Sequence, residues 1–363
     1  GTVEGLEMTP SFWKSKSVFL TGHTGFKGGW LAHWLTQLGA NVYGYSLEPS
    51  SESNFFTETK LTDRLTDSTI GDVRDLKNLS AAMKKSNADI VFHMAAQPLV
   101  RESYNFPVDT FATNVMGTVN LLEAARQSDR IRAIVNITTD KCYENKEWLW
   151  SYRESDRLGG HDPYSASKAC AELVASSYRK SFLTGNKSHL ASVRAGNVIG
   201  GGDWAADRLI PDILRAIDAG QTLKIRSPNS LRPWQHVLEP ISGYMMLAQK
   251  LYDQGAEYAD AWNFGPRDED ARSVGWIVER LCGLSPGAVW ETDKRENPHE
   301  AVLLKLDSSK AKAKLGWFQR WSLEIALAKT VEWHRAWQEN EDMDSLTTMQ
   351  ISEYLTTNKN VDL

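Results

Sequence analysis

The chain has 363 residues, 41% of them hydrophobic and 24% charged, with a formal net charge of -5. That length and balance suit one large globular domain or two close-packed ones, and they give no support to a general nucleic-acid-binding role. The three cysteines, Cys142, Cys170 and Cys282, show no CxxC spacing, which argues against a disulfide framework or structural zinc and fits a reducing cytoplasm. No apolar run approaches the ~20 residues of a membrane helix. Gly1 to Met8 have no signal-peptide core, and Gly1–Glu7 read as an appended segment ahead of a natural start at Met8.

Val18–Leu20 is a short apolar run that ends in a glycine-rich turn. Gly28–Leu38 then reads as a helix, with Trp30, Leu31, Trp34, Leu35 and Leu38 at helical spacing. Asn41–Leu47 reads as a second strand and Ile70–Asp72 as a short third. Ile90–Met94 is a fourth, a run apolar but for His93 and typical of a strand buried on both faces. Asp109–Gln127 reads as a long helix, Ala133–Thr138 as a fifth strand, Tyr164–Phe182 as a helix and His189–Arg194 as a sixth strand. This alternation predicts an α/β fold, a Rossmann-type doubly wound parallel sheet.

After Arg194 the rhythm changes. Short strands at Leu223–Ile225 and Leu303–Leu306 mix with helices around Asp207–Ala219, Val237–Gln254 and Leu323–Trp337. The expected organisation is an N-terminal extension (1–16), a dinucleotide-binding domain (17–195), a smaller mixed α/β substrate lobe (196–340) with segments that return to the sheet, and a C-terminal tail (341–363).

Thr21 to Gly28 follow the first strand and open a helix. Gly22 and Gly25 let the backbone turn and approach a pyrophosphate, Gly28 allows close helix packing, and the helix N-terminus offers free N–H groups to phosphate. A plain strand-to-helix turn is the alternative. Tyr164 and Lys168, four residues apart, share one helix face. A phenol near an ammonium ion can serve as a base, because the cation stabilises phenolate. Arg208 and Arg232 are candidate diphosphate ligands or ordinary surface ion pairs. Trp204 and Trp234 could line a pocket, whereas Trp333 and Trp337 read as packing residues. His23 reads as a locally bonded residue of the turn, and His93 as packed beneath the cofactor. No His, Asp and Glu cluster has metal-ligand spacing.

The GxxGxxG spacing with Phe26 resembles the extended short-chain dehydrogenases, and the resemblance covers most of Ser17–Trp337. Gly71 to Asp75 match the adenine-contacting turn of that family, His93 to Gln97 the exit of its fourth strand, and Asn114 to Thr118 its long interface helix. The acid that usually ends strand two is missing: Ser46 and Leu47 stand there, with Glu48 next. Ser46–Asn54 contain no Arg or Lys for a 2′-phosphate, so NAD is favoured over NADP. The resemblance implies cofactor contacts at Gly22, Thr24, Gly25, Phe26, Lys27, Gly28, Asp72, Val73, Ala95, Ala96 and Asn114, together with Tyr164 and Lys168.

Thr139-Asp140-Lys141 resembles the Thr-Asp-Glu of the nucleotide-sugar 4,6-dehydratases, with Lys in place of Glu as in the branch that acts on CDP-glucose. A surface turn with Asp140 capping the backbone is the other reading. Gly196 to Trp204, Asp207 to Asp212, Arg232 to Val237, and the stretch from His299-Glu300-Ala301 through Leu306-Asp307 to Leu315-Gly316-Trp317 continue the likeness. It implies a lyase that converts CDP-glucose to its 4-keto-6-deoxy product, in deoxysugar biosynthesis of the O-antigen type. Tyr164, Lys168, Thr139, Asp140 and Lys141 would be catalytic. Related dehydratases pair an Asp acid at O6 with a Glu base at C5. Asp140 keeps the acid position; Lys141, at the Glu position, is either a neutral base at C5 or a group that only stabilises the enolate, and the first is the working hypothesis. Gln97, Asn197, Arg208, Arg232, Asn263 and Glu300 would meet the substrate. The resemblance also implies a homodimer or homotetramer through the helices Asp109–Gln127 and Tyr164–Phe182. Another nucleotide-sugar dehydratase, a 4-epimerase and a non-catalytic nucleotide-binding regulator remain as alternatives. The Asp140-Lys141 pair disfavours the epimerase, and intact Tyr164, Lys168 and Thr139 disfavour the regulator.

Overall fold

The computed structural model describes residues 9–185, 187–284, 289–293 and 303–357. In chain order its strands are β1 (Ser17–Thr21), β2 (Asn41–Ser46), β3 (Asp67–Ile70), β4 (Ile90–His93), β5 (Ala133–Ile137), β6 (His189–Ala195), β7 (Asn197–Ile199), β8 (Leu223–Ile225), β9 (Leu231–His236), β10 (Ala261–Phe264), β11 (Ala271–Ser273) and β12 (Trp290–Thr292).

Seven of these strands form one parallel sheet in the order β10-β6-β5-β4-β1-β2-β3. Successive side chains of a strand point to opposite faces. Val18 and Leu20 therefore enter one apolar layer, with the helices Phe26–Gln37 and Leu238–Gln254, while Phe19 enters the other. The helices Leu76–Ser86, Gly117–Arg126 and Pro163–Ser181 cover that second face. Chain order reverses between β1 and β4, and a ligand crevice lies beyond the carboxyl ends of the strands at such a point.

Beside the sheet lie a three-stranded ribbon, β11-β9-β7, and the pair β12-β8. They share a separate apolar core in which Ile213, Trp234, Ile277 and Leu327 are buried. The chain moves between the two cores repeatedly: β6 belongs to the sheet, β7 and β9 to the ribbon, the helix Leu238–Gln254 lies under the sheet, and β10 is its last strand.

Several elements differ from the sequence reading. The third strand is Asp67–Ile70 rather than Ile70–Asp72, because it is a polar, part-exposed edge whose pairing is not signalled by an apolar run. The expected helix Asp109–Gln127 is a short helix Pro107–Phe111, a π turn Ala112–Met116 and the helix Gly117–Arg126. The helix expected from Asp207 begins at Leu209, since Asp207 has φ +60°, outside the helical region. Leu303–Leu306 is no strand: Leu303 bridges Leu231 and Leu306 bridges Tyr152, two different partners that allow no continuous ladder.

Beyond the last expected element, Met343–Thr356 forms a helix capped by Asp342. It packs against Phe26–Gln37. Tyr354 meets Trp34 edge-on at 5.6 Å, and Asp344 accepts hydrogen bonds from Arg64 while it lies 3.1 Å from the buried His33 ring.

Candidate active site

The turn between β1 and the helix Phe26–Gln37 is shaped by its glycines. Gly22 has φ +81°, and a Cβ there would lie 2.8 Å from the Ala95 nitrogen. A Cβ on Gly28 would lie 2.0 Å from the Gly22 carbonyl oxygen, so the helix can approach the turn only because Gly28 has no side chain. Gly25 is the N-cap, and no side chain caps the helix. The first-turn N–H groups of Phe26, Lys27 and Gly28 have no intrahelical acceptor and can receive an anion. Behind the turn, Trp30 donates to the Gly201 carbonyl at 2.9 Å and ties this helix to the loop after β7.

At the end of β2 the Thr24 hydroxyl lies 2.8 Å from that of Ser46 and donates to the Leu47 carbonyl at 2.9 Å. His23 is buried, and its Nε2 lies 2.8 Å from the Ser68 hydroxyl, so it is locally bonded as expected. Burial brings its pKa down to about 4, which keeps the ring neutral beside the anion-receiving turn. His93, at the end of β4, has Nδ1 2.8 Å from the Thr21 hydroxyl and Nε2 3.2 Å from that of Thr118.

The next wall comes from β3, β4 and the π turn. Asp72 accepts from the backbone and guanidinium of Arg74. Val73 is buried against Gly117, where an added Cβ would come within 2.7 Å. Ala95 donates its N–H to Thr21 at 3.1 Å, and Ala96 follows it, half-buried. Asn114, inside the π turn, accepts from the Gln97 N–H at 2.9 Å and donates to Ser167 at 2.8 Å. It thereby locks the β4 exit to the helix that carries Tyr164 and Lys168.

Beyond β5 the chain turns through Thr139, whose hydroxyl donates to Asp140 at 3.0 Å. Tyr164, Lys168, Thr139 and Asp140 are all buried, and Lys141 is half-buried. Lys168 donates to the Ile137 carbonyl at 3.2 Å. Burial pushes its pKa down to about 8, against the opposing pull of the Glu172 carboxylate. The Asp140 carboxyl is raised, first by burial, with Lys141, Thr139 and Arg232 acting in the other direction; its Oδ2 has no hydrogen-bond partner among the described residues. An acid held above the usual carboxylate range in a cleft is suited to carrying a proton.

Tyr164 departs from expectation. Its phenol is pushed up to about 12, because burial outweighs the hydrogen bond with Thr139, and Asp140 adds to the rise. A second cation faces the same space: burial, then Arg208 and Lys168, bring Lys27 down to about 8. Lys27 also stands over the Tyr244 ring, 6.0 Å from its centre.

The residues expected to meet a substrate divide into two groups. Arg208 donates to Asp203 at 2.9 Å and acts electrostatically on Lys27 and Tyr164, so it faces the cleft. Arg232, largely buried on β9, acts on Asp140, and Asn197 is half-buried on neighbouring β7. Gln97 and Asn263 use their amides internally. Gln97 binds Leu99 and Thr110, and Asn263 accepts from Tyr143 while donating to the Tyr152 and Asp307 carbonyls. These bonds anchor the loops that carry the two residues. Glu300, with His299 and Ala301, lies outside the described residues. Trp204 packs edge-on against Trp333 and Trp337, and buried Trp234 donates to the Arg272 carbonyl at 3.0 Å, so both take part in packing.

Sequence reasoning missed Glu172, Arg194 and Tyr143, which interlock behind the cleft. The signal for Glu172 was present, because it follows Lys168 by four residues on a helix. A charged Arg194 inside an otherwise apolar strand was the second signal.

The family model for GDP-mannose 4,6 dehydratase matches residues 19–330. A relative from Salmonella typhimurium (strain LT2), CDP-glucose 4,6-dehydratase, is 55% identical over 351 residues, covering 95% of this chain and 98% of its own. Among solved structures, MoeE5 in complex with UDP-glucuronic acid and NAD superposes with TM-score 0.74 at 25% identity, over 88% of this chain and 99% of that one. A dTDP-glucose 4,6-dehydratase from Streptomyces venezuelae, DesIV, shares the fold with TM-score 0.76 at 22% identity, over 90% of this chain and 98% of its own. With a family match spanning both the glycine turn and the cleft behind β5, the chain belongs to the GDP-mannose 4,6 dehydratase family.

Proposed function

We propose that this protein is a NAD-dependent lyase that converts CDP-glucose to CDP-4-keto-6-deoxyglucose and water. The observation that carries the reading is the convergence of a hydrogen-bonded phenol, Tyr164, with the raised Asp140 carboxyl and the Lys168 ammonium in one buried cleft at the carboxyl end of β5. The likeness to the Salmonella CDP-glucose enzyme supports the choice of nucleotide.

The turn, which a Cβ at Gly22 or Gly28 would force apart by collision with the Ala95 nitrogen or the Gly22 carbonyl, brings the free N–H groups of the helix start to where a dinucleotide pyrophosphate fits. NAD bound there supplies the acceptor and later the donor of hydride. Thr24 and Ser46 bond each other at the end of β2, and Ser46–Asn54 contain no Arg or Lys for a 2′-phosphate, which supports NAD over NADP.

Tyr164 takes the proton of the C4 hydroxyl; Thr139 and Arg208 favour its phenolate against burial, and Lys168, one helical turn on, adds its positive charge. A C4 ketone acidifies the C5 proton. Lys141 accepts that proton, and Asp140 gives its own to O6 as water leaves. Arg208 and Arg232 hold the diphosphate at the mouth of the cleft. The exposed apolar side chains Val108, Phe111, Met116, Leu173 and Phe182, on the helices around Gly117–Arg126 and Pro163–Ser181, support a homodimer through those helices. The site of action is taken to be the cytoplasm.

The test is a panel of nucleoside-diphosphate glucoses with NAD, followed by NMR of the products. CDP-glucose should give the 4-keto-6-deoxy sugar at the highest kcat/KM. A 4-epimer as product, or equal turnover of the other nucleotides, would overturn the reading.

A further inference from the structure

Glu172 lies 4% exposed behind the cleft, one helical turn from Lys168. Its Oε1 accepts from the Thr138 hydroxyl at 2.5 Å, and its Oε2 from the Ser192 hydroxyl at 2.7 Å and an Arg194 N–H at 2.9 Å. Arg194, 3% exposed, donates with its other terminal nitrogen to the Tyr143 hydroxyl at 2.7 Å and to the Glu154 carbonyl at 3.2 Å. The guanidinium also stands 4.8 Å from the Tyr143 ring centre, and Tyr143 donates onward to Asn263 at 2.7 Å.

Thr138 and Tyr143 are the residues just before and just after the turn Thr139–Cys142. One ion pair therefore holds both ends of the segment that carries Thr139, Asp140 and Lys141. Buried ion pairs gain little stability over an apolar filling, but one whose carboxylate and both terminal guanidinium nitrogens are bonded, as here, can fix geometry.

We propose that the Glu172–Arg194 pair is a positioning device for the elimination: it pins both ends of the Thr139–Cys142 turn and keeps a negative charge one helical turn from Lys168. This rests on the reading of Tyr164, Lys168 and Asp140 given above. The arginine's charge is shared between the Glu172 carboxylate, at 2.9 Å, and the Tyr143 hydroxyl, at 2.7 Å. It is the carboxylate that helps the neighbouring amine keep its proton while burial works against it.

Glu172→Gln keeps the shape and removes the charge. Its alkaline limb in the pH profile of kcat should move down by about one unit, since an opposite charge this close shifts a pKa by roughly 1–3 units. At neutral pH kcat should fall on the order of tenfold or more through misplacement of the turn, with KM for CDP-glucose changed less than about threefold. Glu172→Gln leaves Arg194 buried without its partner and risks misfolding, so Glu172→Gln/Arg194→Met is made in parallel. That pair of changes removes both charges, and a downward shift is again expected, smaller than in Glu172→Gln, because Lys168 loses the carboxylate in both but lies near an unpaired guanidinium only in the single variant. An unchanged alkaline limb in either folded variant would reduce the pair to a structural bond and overturn the inference alone. Turnover surviving in Tyr164→Phe would instead overturn the underlying reading, and this inference with it.

Discussion

The hydroxyls of Thr24 and Ser46 are 2.8 Å apart, and their hydrogen bond closes the end of β2 where related dinucleotide sites place an acid. A neutral hydroxyl there grips a ribose less firmly than a carboxylate would. The purified protein should therefore contain less than one NAD per chain and be activated by added NAD. Ser46→Asp should tighten NAD about tenfold, the effect of one charge-assisted hydrogen bond, as read by calorimetry. Better activation by NADP than by NAD would contradict this account of the β2 end.

Tyr164→Phe removes the one phenol bonded to Thr139 in the cleft. Turnover should drop at least about a hundredfold, the usual scale of a lost general base. Binding of CDP-glucose, followed by calorimetry, should stay within about threefold of the unaltered protein.

Asp140 and Lys141 act after C4 is oxidised. Asp140→Asn and Lys141→Met should both stop at the 4-keto-glucose nucleotide, detected by NMR. In deuterated water the Asp140 variant should still exchange the C5 hydrogen, because its base is intact, whereas the Lys141 variant should not. Normal 6-deoxy product from Lys141→Met would return that lysine to a solvated turn.

Arg232→Ala should raise KM for CDP-glucose far more than it lowers kcat. A lost charge-assisted phosphate contact costs about 1.5–3 kcal/mol, or roughly tenfold to a hundredfold or more in KM. An unchanged KM would place the guanidinium outside the diphosphate site.

Activity and stability should respond to alkali in opposite directions. Lys27 and Lys168 are both held near pKa 8, against an ordinary value of 10.5. Catalysis needs the Lys168 ammonium, so kcat should fall as pH rises through about 8. Between about pH 8 and 9 the unfolded chain holds more protons on these two lysines than the native one, so their contribution raises folding stability with pH. Denaturant melts of the cofactor-free protein across that window check the sign, and a midpoint that fell together with kcat would count against it.

The sheet was legible because its strands are apolar on both faces and its turns carry glycine. The same physics made β3 hard to place, since an edge strand with Asp67 and Ser68 shows no such run. The ribbon strands β7 and β11, three residues each, are shorter than any periodicity can reveal. The helix Met343–Thr356 was overlooked because its apolar positions are spread around it, and it is held partly by polar contacts such as Asp344 with Arg64. In the site, the Thr139–Lys141 turn and the Tyr164–Lys168 pair announce themselves by type and spacing. The internal use of Gln97 and Asn263 does not, because an amide looks the same whether it faces a ligand or a carbonyl. The elevated Tyr164 phenol reflects burial, which spacing cannot convey.

The alternation of the chain between the sheet and the β11-β9-β7 ribbon constrains how such a protein can diversify. No single cut separates the two cores: β7 and β9 leave the sheet, the helix Leu238–Gln254 returns under it, and β10 completes it before the chain departs again. A crossover between two relatives within this stretch would join a ribbon from one parent to a sheet floor from the other, with Tyr244 and Phe264 meeting unfamiliar neighbours. Altered sugar preference is therefore reached more readily by replacing individual side chains around the cleft than by exchanging blocks of sequence, and libraries aimed at it should be built residue by residue.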